Sequence, residues 1–150
     1  MYKKYDIKEI PGILDIPNNK YNLRALIIIT ISDEHKEERK KSPAFDFFES
    51  LNKRNYRKIM VSMNMVARQG NSTPRTHFKK DNKGREVFEI RTPTGNDRLL
   101  CFPDKNDTLL ICCNSATKTK GVSVQSREFN KCFEIKKAYY KYKYGENIIK

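Results

Sequence analysis

The sequence predicts an α+β domain: an antiparallel sheet of about four to five strands, with an N-terminal helical hairpin and a C-terminal helix. Three observations carry this. Apolar residues recur at helical spacing between residues 43 and 70. Between residues 74 and 117 the pattern changes to four short apolar runs parted by turn clusters. From about residue 126 the helical spacing returns. Segregated elements of this kind pack helices on one face of a sheet, and the expectation is that the other face stays free.

Residues 1–22 carry Pro11, Gly12 and Pro17 and read as an irregular lead with a short extended piece at 6–10. LRALIIITI, residues 23–31, reads as a buried strand. SDEHKEERKKSP, which follows, has charges but no apolar stripe, and reads as a loop. Residues 1–42 are thus expected to be an extension bearing the first strand, and residues 23–144 a single domain. Ser42 before Pro43 is a helix N-cap with proline in the first turn. Phe45, Phe48 and Leu51 follow at helical spacing, and residues 52–55 break the run. A second helix is expected from about Tyr56, with Ile59, Met60, Met63, Val66 and Ala67 on one face and Gly70 closing it. THFKK, EVFEIR, DRLLCF and TLLICCNSA then form a meander, separated by DNKG, TPTGN and PDKND. Over residues 126–144 a stripe of Phe129, Cys132, Phe133 and Tyr140 predicts the last helix.

Charge dominates the composition: 31 Lys and Arg against 18 Asp and Glu, a net +13 spread along the chain. A folded surface with this excess seeks a polyanion. Nucleic acid is the first candidate and an anionic membrane surface the second; the bland alternative is a solvated, lysine-rich surface. No apolar run approaches the ~20 residues of a membrane span, and no signal peptide is expected. Cys101, Cys112, Cys113 and Cys132 form no CxxC, and His35 and His77 are the only histidines. No metal site and no cofactor are expected. Buried free thiols fit a reducing cytoplasm.

EIRTPTGNDRLLCF, residues 89–102, holds an arginine at each mouth of its loop, Arg91 and Arg98. If residues 92–97 close a hairpin, the two stand opposite each other on one face, where like charges repel. Phe88, Ile90, Leu99 and Cys101 then share the other face, and Leu100 and Phe102 join the arginines. Lys79, Lys80, Arg85, Lys118 and Lys120 cluster around this unit. Such a patch becomes favourable once a phosphate backbone sits in it.

The ordered set HFKK (77–80), VFEIR (87–91), RLLCF (98–102), LLICCNSATKTK (109–120) and REF (127–129) resembles the RelE/HigB superfamily of bacterial toxins, in particular its phage Gp49-like branch. The resemblance runs from Pro43 to about Tyr142. It implies a RelE-like fold for the domain over 23–144 and, for function, a type II toxin. Such a toxin is a metal-independent mRNA endoribonuclease acting on the ribosome, neutralised by a cognate antitoxin of helix-turn-helix type. Chemistry of that kind needs a base for the 2′ proton, an acid for the leaving 5′ oxygen and cations around the phosphate. The resemblance implies Arg91 and Arg98 as phosphate stabilisers, with Lys118 or Lys120 completing the cradle. Lys79, Lys80 and Arg85 would grip the backbone. His77 is a candidate acid or base, or else a strand-edge residue. Tyr139 and Tyr140 are candidates to stack on a base, or else core. The alternative is a non-catalytic member of the same fold, binding a protein partner as the ParE group does, or binding nucleic acid.

Overall fold

The computed structural model describes residues 2–13, 18–32, 38–81, 83–105, 108–117 and 126–148. Among them run strands β1 (Tyr2–Glu9), β2 (Asn22–Ile31) and β3 (Glu38–Lys41), helices α1 (Pro43–Ser50) and α2 (Lys53–Gln69), strands β4 (Phe78–Lys80), β5 (Phe88–Arg91), β6 (Asp97–Pro103) and β7 (Leu109–Thr117), and helix α3 (Ser126–Tyr144). The strands form one sheet in the order β1-β2-β7-β6-β5-β4, and β3 adds to β2.

Local chemistry accounts for most boundaries. Ser42 caps α1, its hydroxyl accepting from the Phe45 amide at 3.3 Å. Asn52 caps α2 in the same way, accepting from Asn55 at 2.8 Å. Each cap is worth about 1 kcal/mol. The asparagine that reads as a break is therefore the N-cap of α2, whose first residue, Lys53, stands three ahead of Tyr56. Gly70 ends the helix with φ +57°, and the amides of Lys20 and Tyr21 donate to the Ala67 carbonyl.

Two expectations need correcting. The sheet is larger than four to five strands, because residues 1–42 supply three. β1 runs antiparallel to β2 over its whole length, from Tyr2 opposite Ile31 to Glu9 opposite Arg24. ERKK, read as loop, pairs residues 38–41 with residues 28–31 of β2. Backbone pairing holds β3 there although all four of its side chains are exposed, which is why no apolar pattern marks it. β2 also pairs in parallel with β7 through Asn22–Leu109 to Ala25–Cys112, so the sheet is mixed.

The second correction concerns the free face. α1 and α2 cover one face, where Ile59, Met63 and Val66 meet Phe88, Ile90, Leu99 and Cys112. α3 covers part of the other, where Phe133, Tyr139 and Tyr140 meet Leu26, Leu100, Phe102, Ile111 and Cys113. Apolar side chains on both sides of β6 and β7 demand cover on both sides, each worth roughly 1.5–3 kcal/mol when buried. A shift of register between Leu100 and Cys101 places Cys113 and Asn114 on the α3 side together. No helix among the described residues is long and apolar enough to cross a membrane.

Candidate functional site

The hairpin of β5 and β6 has the register expected from its sequence: Arg91 pairs with Arg98, Ile90 with Leu99 and Phe88 with Cys101. Alternation along the strands then places Glu89, Arg91, Arg98 and Leu100 on the α3 face. The repulsion between the arginines is answered by Glu89, which is 3% exposed. Arg91 Nη1 donates to Glu89 Oε1 at 3.2 Å, and Arg98 Nε lies 3.7 Å from the same oxygen. Arg98 also donates to the carbonyls of Gly95 at 2.9 Å and Asp97 at 3.0 Å. Burial lowers the Arg98 pKa from its ordinary value; Glu89 opposes that shift and Arg91 adds to it.

The two arginines are not equivalent. The Arg98 side chain is 3% exposed and held on three sides, whereas that of Arg91 is 26% exposed. Arg91 Nε is buried with no hydrogen-bond partner among the described residues. Lys79 pairs with Glu89 across β4 and β5, so it shares this face. Lys118 and Lys120 lie outside the described residues.

The other expected site residues stand elsewhere. His77 turns to α2, its Nδ1 2.7 Å from the Ser62 hydroxyl, and α2 covers the opposite face. Lys80 lies on that opposite face too, its ammonium 5.9 Å from the Phe88 ring centre. Arg85 is buried. It is bound by Asp81 at 2.8 Å and Asn130 at 2.5 Å, with Phe133 beneath its guanidinium. Lys136 of α3, also buried, donates to the Arg85 carbonyl at 3.0 Å. Arg85 therefore docks α3 on the sheet, and its guanidinium is not offered to solvent. Tyr139 and Tyr140 are core residues. Tyr140 donates to the Pro103 carbonyl at 2.9 Å, and the Tyr139 hydroxyl accepts from Lys143 at 2.9 Å. Neither ring is open for a base to stack on.

Glu89 is the residue that reading the sequence passed over. Its signal was present: in FEIR a carboxylate two places before Arg91 must share its face.

The fold and this face define a basic α+β domain whose sheet carries an arginine pair bridged by a buried carboxylate. The model of the family Phage derived protein Gp49-like (DUF891) matches residues 46–138, more than half of the chain, and the protein belongs to that family. The family is associated with the RelE-like toxin–antitoxin superfamily. No curated protein and no solved structure shows a match. The matched span begins inside α1 and ends inside α3, so β1, β2 and β3 lie outside it.

Proposed function

We propose that this protein is the toxin of a toxin–antitoxin pair and cleaves messenger RNA, on the ribosome, without a metal. Family membership supports the toxin setting, and Arg91 carries the chemical reading. It is the partly exposed member of a cationic cluster, and it keeps a buried Nε without a partner among the described residues. An unpaired buried donor is rare. Arg85 Nη2 is another, but it lies within the α3 contact, whereas the Arg91 side chain is partly exposed. A guanidinium fork suits phosphate oxygens.

In this reaction the RNA 2′-oxygen attacks the adjacent phosphorus and the bond from phosphorus to the 5′-oxygen breaks. The 2′ proton passes to a base, and the leaving oxygen takes a proton. The products are a 2′,3′-cyclic phosphate and a free 5′-hydroxyl. Arg91 and Lys79 stabilise the charge growing on the phosphate, and Lys118 or Lys120 completes the cradle. Arg98 is a positioning residue: through Glu89 it fixes the fork of Arg91. An acidic antitoxin segment covering this basic face would silence the protein.

Burial of Arg98 favours a second reading, in which the face binds a protein partner and performs no chemistry. The two are separated by incubating translating ribosomes with the purified protein and mapping RNA ends. Cleavage with 5′-hydroxyl ends, reduced at least a hundredfold in Arg91→Ala, supports the nuclease. Intact RNA together with arrested growth on expression supports the binding module. Cleavage unchanged in Arg91→Ala removes Arg91 from the mechanism.

A further inference from the structure

β1 is an edge strand outside the matched family span, and among the described residues it pairs only with β2. Its other side is a row of backbone donors and acceptors. The Asn22 amide donates to the Thr108 carbonyl at 2.6 Å, so the even-numbered residues of β2 turn their amides to the β7 side. Their partners on β1 include Lys3, Tyr5 and Ile7, whose amides therefore point outward. The Ile7 amide is satisfied locally, donating to Asp6 Oδ1 at 2.8 Å. An open edge of eight residues is a template for another strand. Apolar surface flanks it. Tyr2 and Tyr142 are two of the three large apolar side chains left exposed among the described residues, and the Tyr142 ring meets that of Tyr5 at 5.8 Å.

We infer that β1 docks antiparallel against β1 of a second copy of this chain, about a twofold axis at Tyr5. The strand sequence, YKKYDIKE, matches itself in this register. Lys4 of each copy faces Asp6 of the other. Lys3 lays its aliphatic stem against Ile7, and Tyr2 meets Lys8. A slip of one residue sets opposite faces together. A slip of two brings like charges opposite, Lys4 on Lys4 in one direction, Lys4 on Lys8 and Asp6 on Asp6 in the other, which is destabilising. Lys4 and Asp6 form no ion pair among the described residues. Across the new ladder they fall in the non-hydrogen-bonded positions, where facing side chains stand closest. The Ile7 amide passes from Asp6 to the Lys3 carbonyl of the second copy, and the freed carboxylate turns to Lys4. A strand of an unrelated protein could fill the edge, but the alternation of charges in β1 is complementary to β1 itself. The axis is perpendicular to the sheet, so both α3 faces, with their arginine pairs, stay on one side of the joined sheet. Contact limited to one strand and the tyrosines beside it is small against the roughly 1,200–2,000 Å² of stable complexes, so the association is weak.

The test is sedimentation of the full-length chain from micromolar to millimolar concentration, with amide hydrogen exchange on the same samples. Physiological ionic strength screens the general repulsion between two chains of net +13. The expected result is a monomer–dimer equilibrium in which the Lys3, Tyr5 and Ile7 amides gain at least twofold protection as the dimer forms. Asp6→Lys and Lys4→Asp each set like charges opposite at two places and should each weaken dimerisation at least tenfold. An equimolar mixture of these two variants again sets opposite charges face to face, and mixed dimers should form within threefold of the native affinity. Mixing cannot rescue a chain that fails to fold, so this arm separates lost pairing from lost structure. The inference stands apart from the reading of the arginine face, and Arg91→Ala should dimerise as the native chain does. It is overturned if the chain stays monomeric throughout, which leaves the edge to a strand of another protein. It is equally overturned if Asp6→Lys dimerises undiminished, because the copies then meet elsewhere, or if the two variants stay monomeric when mixed.

Discussion

Replacing Glu89 by leucine removes the carboxylate that both arginines share. Arg91 can swing its 26% exposed side chain into water, but Arg98, 3% exposed, cannot follow. It keeps only the carbonyls of Gly95 and Asp97. Leaving a buried cation without its counter-charge costs about 3–5 kcal/mol. The lower end applies here, because the 3.7 Å separation from Glu89 is long for an ion pair and two carbonyl acceptors remain. With a urea m-value of ~2 kcal/mol/M, a loss of ~3 kcal/mol moves the unfolding midpoint down by roughly 1.5 M. Glu89→Gln keeps an acceptor and loses only charge, so its cost is smaller. The decisive measurement is a double-mutant cycle. In Glu89→Leu, Arg98→Met both buried charges are gone and Arg91 alone remains, free to turn to water, so stability should return to within ~1 kcal/mol of the native chain. That is a coupling of at least ~2 kcal/mol. If Glu89→Leu costs under ~1 kcal/mol, or if the two substitutions add, then Glu89 does not hold the arginine pair together.

Two further outcomes follow from other parts of the molecule. Gly70 sits at φ +57°, where an added Cβ would lie 2.9 Å from Lys20 Cβ; Gly70→Ala should cost about 2 kcal/mol, lowering the melting temperature by ~4–8 °C, and an unchanged melting point would show that the 18–21 segment yields. Burial pushes the Tyr144 phenol up to about 12, with Asp104 accepting its hydrogen bond and adding to the shift. An acid whose folded pKa is raised stabilises the fold while protonated, so its contribution is complete below the unfolded value of ~10 and is lost as pH climbs from there towards 12. Urea midpoints of the native chain and of Tyr144→Phe should therefore converge between about pH 10 and about pH 12, the window those two values span; parallel curves would mean that Tyr144 titrates normally.

Periodicity and turn chemistry are properties of neighbouring residues, and the sequence alone determined what depends on them. The capped α1, the apolar face of α2, the four-run meander and the bounds of α3 were all legible, and so was the register that sets Arg91 opposite Arg98. A two-residue alternation leaves little freedom once the turn is located. The family resemblance was likewise carried by short runs in order along the chain.

Tertiary structure decided the rest, because it depends on which distant surfaces meet. β3 has no apolar pattern, and only its pairing with β2 makes it a strand. That β2 would join β7 in parallel, and so bring the N-terminal residues into the sheet, lies in a contact between segments some eighty residues apart. Arg85 read as a backbone grip, and Tyr139 and Tyr140 as a base platform or core, yet all three hold α3 to the sheet: Asp81 and Asn130 bind the guanidinium, the Pro103 carbonyl and Lys143 bind the phenols, and the rings pack on the sheet. The same residue types in the same order can therefore bind a ligand or bind the fold itself. Which of the two occurs depends on the groups brought against them, and in the case of Arg98 it was Glu89 and the carbonyls of Gly95 and Asp97 that chose the fold.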